Sequence, residues 1–186
     1  MKKRILFLLA LYFMWLPLLA IQKPVFMLYH HALASGCSLI DYLKVITHGL
    51  LLDCTVSGYL TVIPLLCILV SVWLPGTFYQ KLIKGYFLAA GLLVAAIFAV
   101  DVALYGYWGF RLDATLFFYL QSPTDAIASV PIGTFFLQFL LFLIYAYGIY
   151  WVFKRFVVPL FPTTPAHNRL GGTIVILLLG GILFIP

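Results

Sequence analysis

Asp101-Val102-Ala103-Leu104-Tyr105-Gly106-Tyr107-Trp108-Gly109-Phe110-Arg111-Leu112-Asp113 closes a long apolar run. It brings two carboxylates, an arginine and an aromatic girdle to one place. Tyr and Trp concentrate where a membrane meets water, so this stretch reads as the interfacial end of a transmembrane helix. Asp101 falls at hydrocarbon depth, where a carboxylate is costly and faces a partner or a wet cavity. Arg111 is the nearest candidate partner in sequence. Two readings stand side by side: a structural clasp at a helix end, and a contact to substrate.

Composition agrees with that reading. The chain has 186 residues, of which 65% are hydrophobic and 9% charged, and its mean hydropathy is +1.15. Those values exclude an ordinary soluble domain. Long unbroken runs with little period-2 alternation favour helices over a membrane barrel, giving an all-α polytopic membrane protein. The net charge of +6 would suggest nucleic acid in a soluble protein. Here it is an orientation signal, and no nucleic-acid partner is expected.

Five apolar runs are long enough to cross, at about 5–21, 57–74, 86–105, 132–153 and 170–185. Lys2, Lys3 and Arg4 precede the first. Leu18-Leu19-Ala20 lacks the small residue a signal-peptidase site needs, so the first helix is expected to stay uncleaved with its N-terminus in the cytoplasm. Lys23 marks its outer end. The third run carries Gly91, Ala95, Ala99 and Ala103 at every fourth position, a seam for close helix approach, with Asp101 on nearly the opposite side. Eight basic residues fall in the inner segments against Lys23, Lys44 and Arg111 outside, the direction of the positive-inside rule. The C-terminus is then expected outside.

Between the spans, Ser38 to Asp41 fits a capping box, which starts an amphipathic interfacial helix over about 38–56. Asp53 falls on its apolar side, which calls for a buried partner, a polar cavity or a local bend. Asp113 and Ser122-Pro123-Thr124-Asp125 cap short segments within 114–130, expected to lie along the interface. His30 and His31 are adjacent and therefore not on one helical face, and no metal is assigned to them. Cys37, Cys54 and Cys67 lack ligand spacing; a Cys37–Cys54 bridge ranks below free buried thiols. The chain contains no Glu and no complete catalytic constellation.

The order H-G-L-L-L-D-C-T-V-S-G-Y-L, D-V-A-L-Y-G-Y-W-G-F-R-L-D-A-T-L-F-F-Y-L and S-P-T-D-A-I-A-S-V resembles the N-terminal membrane domain of the lipoteichoic acid synthase family. These are membrane-anchored members of the sulfatase and alkaline phosphatase superfamily. The resemblance implies five transmembrane helices followed by an extracytoplasmic catalytic domain with a Thr or Ser nucleophile and a divalent metal such as manganese. That domain would transfer phosphoglycerol or phosphoethanolamine from a phospholipid to an envelope acceptor. This chain stops where it would begin, so the catalytic domain is the expected missing partner, the bilayer is the other, and no catalytic residue or cofactor is carried over. In this setting Arg111, a planar guanidinium suited to phosphate, and Lys44 are candidate head-group ligands. Asp53, Asp101, Asp113 and Trp108 form the candidate structural polar cluster. A stand-alone membrane interaction or assembly protein and a small transporter with Asp53 and Asp101 as coupling sites are the rival readings.

Overall fold

Proline decides where the first helix bends. The computed structural model describes residues 1–74, 77–113 and 131–184, without the side chains of Thr77 and Trp108. Helix α1 (Lys2–Ala20) passes through Pro17 and runs on into α2 (Gln22–Tyr29). Pro24 has no N–H to give the Ala20 carbonyl, and the helix breaks at Ile21 for that reason. Together they cover 28 residues, a candidate span. The first span therefore extends past Ile21, and Lys23 lies inside the helix, not beyond its end.

After a turn, α3 (Leu39–His48) begins at the Ser38 capping box. Gly49 separates it from α4 (Leu50–Trp73). The helix that carries the second apolar run thus begins at Leu50, seven residues before Ser57, and Asp53 belongs to its first turn. Helix α5 (Thr77–Trp108), α6 (Ile132–Val152) and α7 (Arg169–Phe184) follow. A π-helical turn, Phe153–Val157, and a 3₁₀ turn, Val158–Leu160, extend α6. Among the described residues there is no strand. Four helices have the length and apolarity to cross a bilayer, while α7, with 16 residues, is a shorter apolar helix. The expected interfacial segments within 114–130 lie outside the described residues.

The chain divides into two units. The first holds residues 1–90 and 149–186. In it, α4 lies between α1 and α7. Arg4 meets Ser71 at one end of α4 and Lys23 meets Asp53 at the other, so α1 and α4 are antiparallel. Helix α7 also runs antiparallel to α4, as two of its glycines and one of α4 show. A Cβ at Gly172 would meet Val72, one at Gly180 would meet Leu65, and one at Gly58 would meet the Leu183 carbonyl. Small residues let backbones approach, and in lipid that close packing is a main source of helix association. The core of this unit is aromatic: Trp15 contacts Phe153 at 4.5 Å between ring centroids, and Phe87 stacks on Phe153 at 4.4 Å.

The second unit, residues 91–148, comprises the later part of α5 and most of α6. Phe98 packs on Tyr145 at 5.4 Å. Of the seam, Gly91, Ala95 and Ala99 are buried and Ala103 is half-buried, while Phe98, Asp101 and Val102 are buried as well. Asp101 therefore shares a broad buried stripe with the seam instead of standing on a separate face.

Candidate functional site

The charged residues gather at helix ends, and each centre is built by local chain geometry. At the first, Lys23 Nζ lies 2.5 Å from Asp53 Oδ2, with side chains only 16% and 9% exposed. Asp53 stands in the first turn of α4, where the helix dipole favours negative charge. Gly49 makes the contact reachable. A Cβ there would sit 2.1 Å from Lys23 Cε and 2.9 Å from Nζ, so the lysine passes through space that any side chain would occupy. Asp53 thus has its buried partner, and that partner is Lys23.

The second centre lies in the Asp101–Asp113 stretch. Helix α5 ends with Gly109 at φ 72°, and the Gly109 N–H donates to the Tyr105 carbonyl at 2.9 Å. This is an αL helix stop, which glycine adopts without the Cβ penalty. It turns the chain back so that Arg111 Nη2 lies 2.6 Å from Asp101 Oδ2, and the Leu112 N–H donates to Oδ1 at 2.7 Å. Asp101 is buried and both its oxygens are engaged. The Arg111 side chain is 57% exposed. Asp113 is exposed beside this clasp in sequence, and the Trp108 side chain lies outside the described residues.

Lys44 belongs to a looser arrangement. Its Nζ is 3.7 Å from Asp41 Oδ1 on the exposed face of α3. Asp41 completes the capping box: the Ser38 N–H donates to Oδ2 at 2.9 Å, the Ser38 hydroxyl donates to it at 2.7 Å, and the Asp41 N–H donates to Ser38 Oγ at 3.4 Å. The Ser38 hydroxyl, then its backbone N–H, holds the Asp41 carboxyl below its ordinary value of 3.8. Lys44 and Arg111 belong to different units.

Two polar residues carry more than their sequence context suggests. Arg4 is 4% exposed. Its Nη2 donates to the Ser71 carbonyl at 2.8 Å and to the Thr164 carbonyl at 2.6 Å. Gln138 is buried in α6, and neither atom of its amide finds a hydrogen-bond partner among the described residues. A lone amide in a Phe-rich run was a visible signal for it.

His30 packs against the rings of Phe26 and Tyr29, and His48 Nδ1 lies 2.7 Å from the Lys44 carbonyl of its own helix. The three cysteines are free thiols, with Cys37 exposed, Cys54 half-buried and only Cys67 buried. Among the described residues no three His, Cys, Asp or Glu side chains gather as a metal site would require. Comparison with protein-family models, with curated proteins and with solved structures returns no match.

Proposed function

We propose that this chain is the membrane-anchoring domain of a lipoteichoic acid synthase-like enzyme that moves phosphoglycerol or phosphoethanolamine from a phospholipid to an envelope acceptor. The observation that carries the reading is the Asp101–Arg111–Leu112 clasp. Its two donors, Arg111 and Leu112, fall in W-G-F-R-L-D, the stretch on which the resemblance chiefly rests, and with Asp101 they close a helix end. That is the work of a scaffold beneath a catalytic domain. In this proposal the metal and the nucleophile belong to that domain. Arg111, through the exposed part of its guanidinium, and Lys44 border the lipid head-group layer.

Five spans and an inner N-terminus complete the proposal. Helix α7 has 16 residues, about 24 Å of rise, yet it follows α4 from the Trp73 end to Gly58. A helix that accompanies a spanning helix along that length crosses most of the same layer. Helix α3, with Leu39, Ile40 and Leu43 exposed above its capping box, has the bare apolar face of a helix lying in the interface.

The test begins with the native locus. A reading frame that continues past codon 186 into several hundred residues with a Thr or Ser amid Asp, Glu and His supports the proposal. So does manganese-dependent head-group transfer by the full product from labelled phosphatidylglycerol or phosphatidylethanolamine. A stop codon there, with a 21.0 kDa product accumulating in the membrane, refutes it.

A further inference from the structure

A buried arginine with no carboxylate beside it is an unfinished site. Arg4 is the most buried cation of the described chain, and the groups that solvate it are two backbone carbonyls. Its Nε–H is buried and finds no acceptor. Carbonyl dipoles lower the cost of burying a charge but do not neutralise it, and buried charges are ordinarily paired. Here the positive charge increases instead. Arg4 lines a pocket of about 400 Å³ together with Lys2, Lys3, Gln80, Thr163 and Thr164. No carboxylate is among the lining residues, and the described acids that do pair are engaged with Lys23, Lys44 and Arg111.

The pocket is built, not incidental. Arg4 ties α1 to the segment after the 3₁₀ turn through Thr164. The Ala166 N–H ties the same segment to α4 by donating to the Val72 carbonyl at 3.0 Å. Gln80 Nε2 reaches the Phe161 carbonyl at 3.5 Å from α5. Four parts of the first unit thus hold the walls in place. The volume lies in the range of small-ligand clefts and exceeds what one water or a simple ion needs.

We propose that this pocket binds a phosphate-bearing anion, with Lys2 and Lys3 as direct ligands, Thr163 and Thr164 hydroxyls as neutral donors, and the Arg4 charge behind them. The proposal is independent of the transferase reading, because it concerns the Lys2–Arg4 end of α1 and requires no catalytic domain. Two sources offer this chemistry: the head group of an anionic phospholipid, and soluble phosphate or phosphate esters. Since the pocket sits at the basic end of an apolar span, the depth suits a head group.

The experiment is a binding titration of the purified full chain in neutral detergent. Short-chain phosphatidylglycerol is added and the one-to-one adduct is followed by native mass spectrometry. Lys2→Gln/Lys3→Gln weakens binding roughly 25-fold, taking about fivefold for each cation near an anionic head group. Lys154→Gln/Arg155→Gln removes the same charge from exposed residues outside the lining and changes binding by about twofold or less. Competition by millimolar inorganic phosphate supports the site and points to a soluble ligand. Binding that resists phosphate supports the site and points to the lipid. Absence of a one-to-one adduct, or equal weakening by the two double variants, overturns the proposal.

Discussion

Gly49→Ala separates two physical expectations that predict opposite signs. Gly49 has φ −81° and ψ −5°, an ordinary right-handed conformation that alanine adopts without strain. Its carbonyl accepts from the Asp53 N–H at 3.1 Å, as a helix start should. From backbone entropy alone, replacing this glycine stabilises the protein by about 0.4–1 kcal/mol. The side chain argues the other way, since the new methyl would stand 2.1 Å from Lys23 Cε. Lysine is flexible and can swing aside cheaply, but then Asp53 loses the partner at 2.5 Å. A buried carboxylate without its partner costs on the order of 3 kcal/mol in a favourable geometry, and somewhat less for this partly exposed pair. The net expectation is destabilisation by about 1–2 kcal/mol, the ion-pair loss exceeding the entropic gain. Reversible unfolding in mixed detergent and SDS micelles measures it. The same substitution in a Lys23→Ala/Asp53→Ala background meets no obstacle and yields only the entropic gain. Stabilisation of the otherwise native chain by Gly49→Ala would sink this account, because Lys23 would then have another path to Asp53.

Arg111→Ala leaves a buried carboxylate with only the Leu112 N–H of its two clasp partners, and costs about 1–3 kcal/mol of stability. Lys44→Ala removes an exposed pair at 3.7 Å, worth about 0–1 kcal/mol. Arg111→Ala therefore lowers folded abundance in the membrane more than Lys44→Ala does, and equal abundance of the two variants contradicts the clasp. The capping box predicts a pH dependence for α3. Asp41 has a depressed pKa in the folded chain, so its contribution is complete above the ordinary value of 3.8 and is lost as pH falls through the folded value. Ser38→Ala moves the Asp41 titration back up toward 3.8 and speeds amide exchange in the first turn of α3 at neutral pH. Carboxyl NMR titration and hydrogen exchange check both, and an unmoved titration contradicts the capping assignment.

What could be read from the sequence was local. The Ser38 capping box needs residues three apart, and the Asp101–Arg111 pair needs ten residues and one glycine turn, so both lie within the reach of pattern reasoning. Helix existence was equally legible, because apolar runs of this length have few other fates. The partner of Asp53 was not, since Lys23 lies 30 residues away and only the packing of α1 on α4 brings it near. Hydropathy assigned Lys23 to a helix end. In fact α2 accommodates Pro24 at its third position, inside the first turn, where a missing N–H costs little. Arg4 misled for a related reason. A basic residue before a span counts toward orientation, and nothing local distinguishes one that points to water from one bonded to carbonyls 67 and 160 residues away.

Those two unforeseen contacts explain how α1 is held. Between helices in lipid there is no hydrophobic driving force of the kind water supplies, so packing and polar contacts must fix orientation. Arg4 and Lys23 are 19 residues apart, about 28 Å of helical rise, close to the thickness of a bilayer core. Arg4 pins the start of α1, and Lys23 pins α2 just beyond α1, each to the adjacent end of α4, a spacing that suits one cation at each boundary of a bilayer. Between the pins the packing is apolar and aromatic, through Phe7, Leu11 and Trp15. The pins are unequal. The Lys23–Asp53 end is closed, with opposite charges in contact and Gly49 shaped around them. The Arg4 end is anchored by carbonyls alone and opens onto a cationic pocket, so it is the end whose hold on α1 an added anion can tighten.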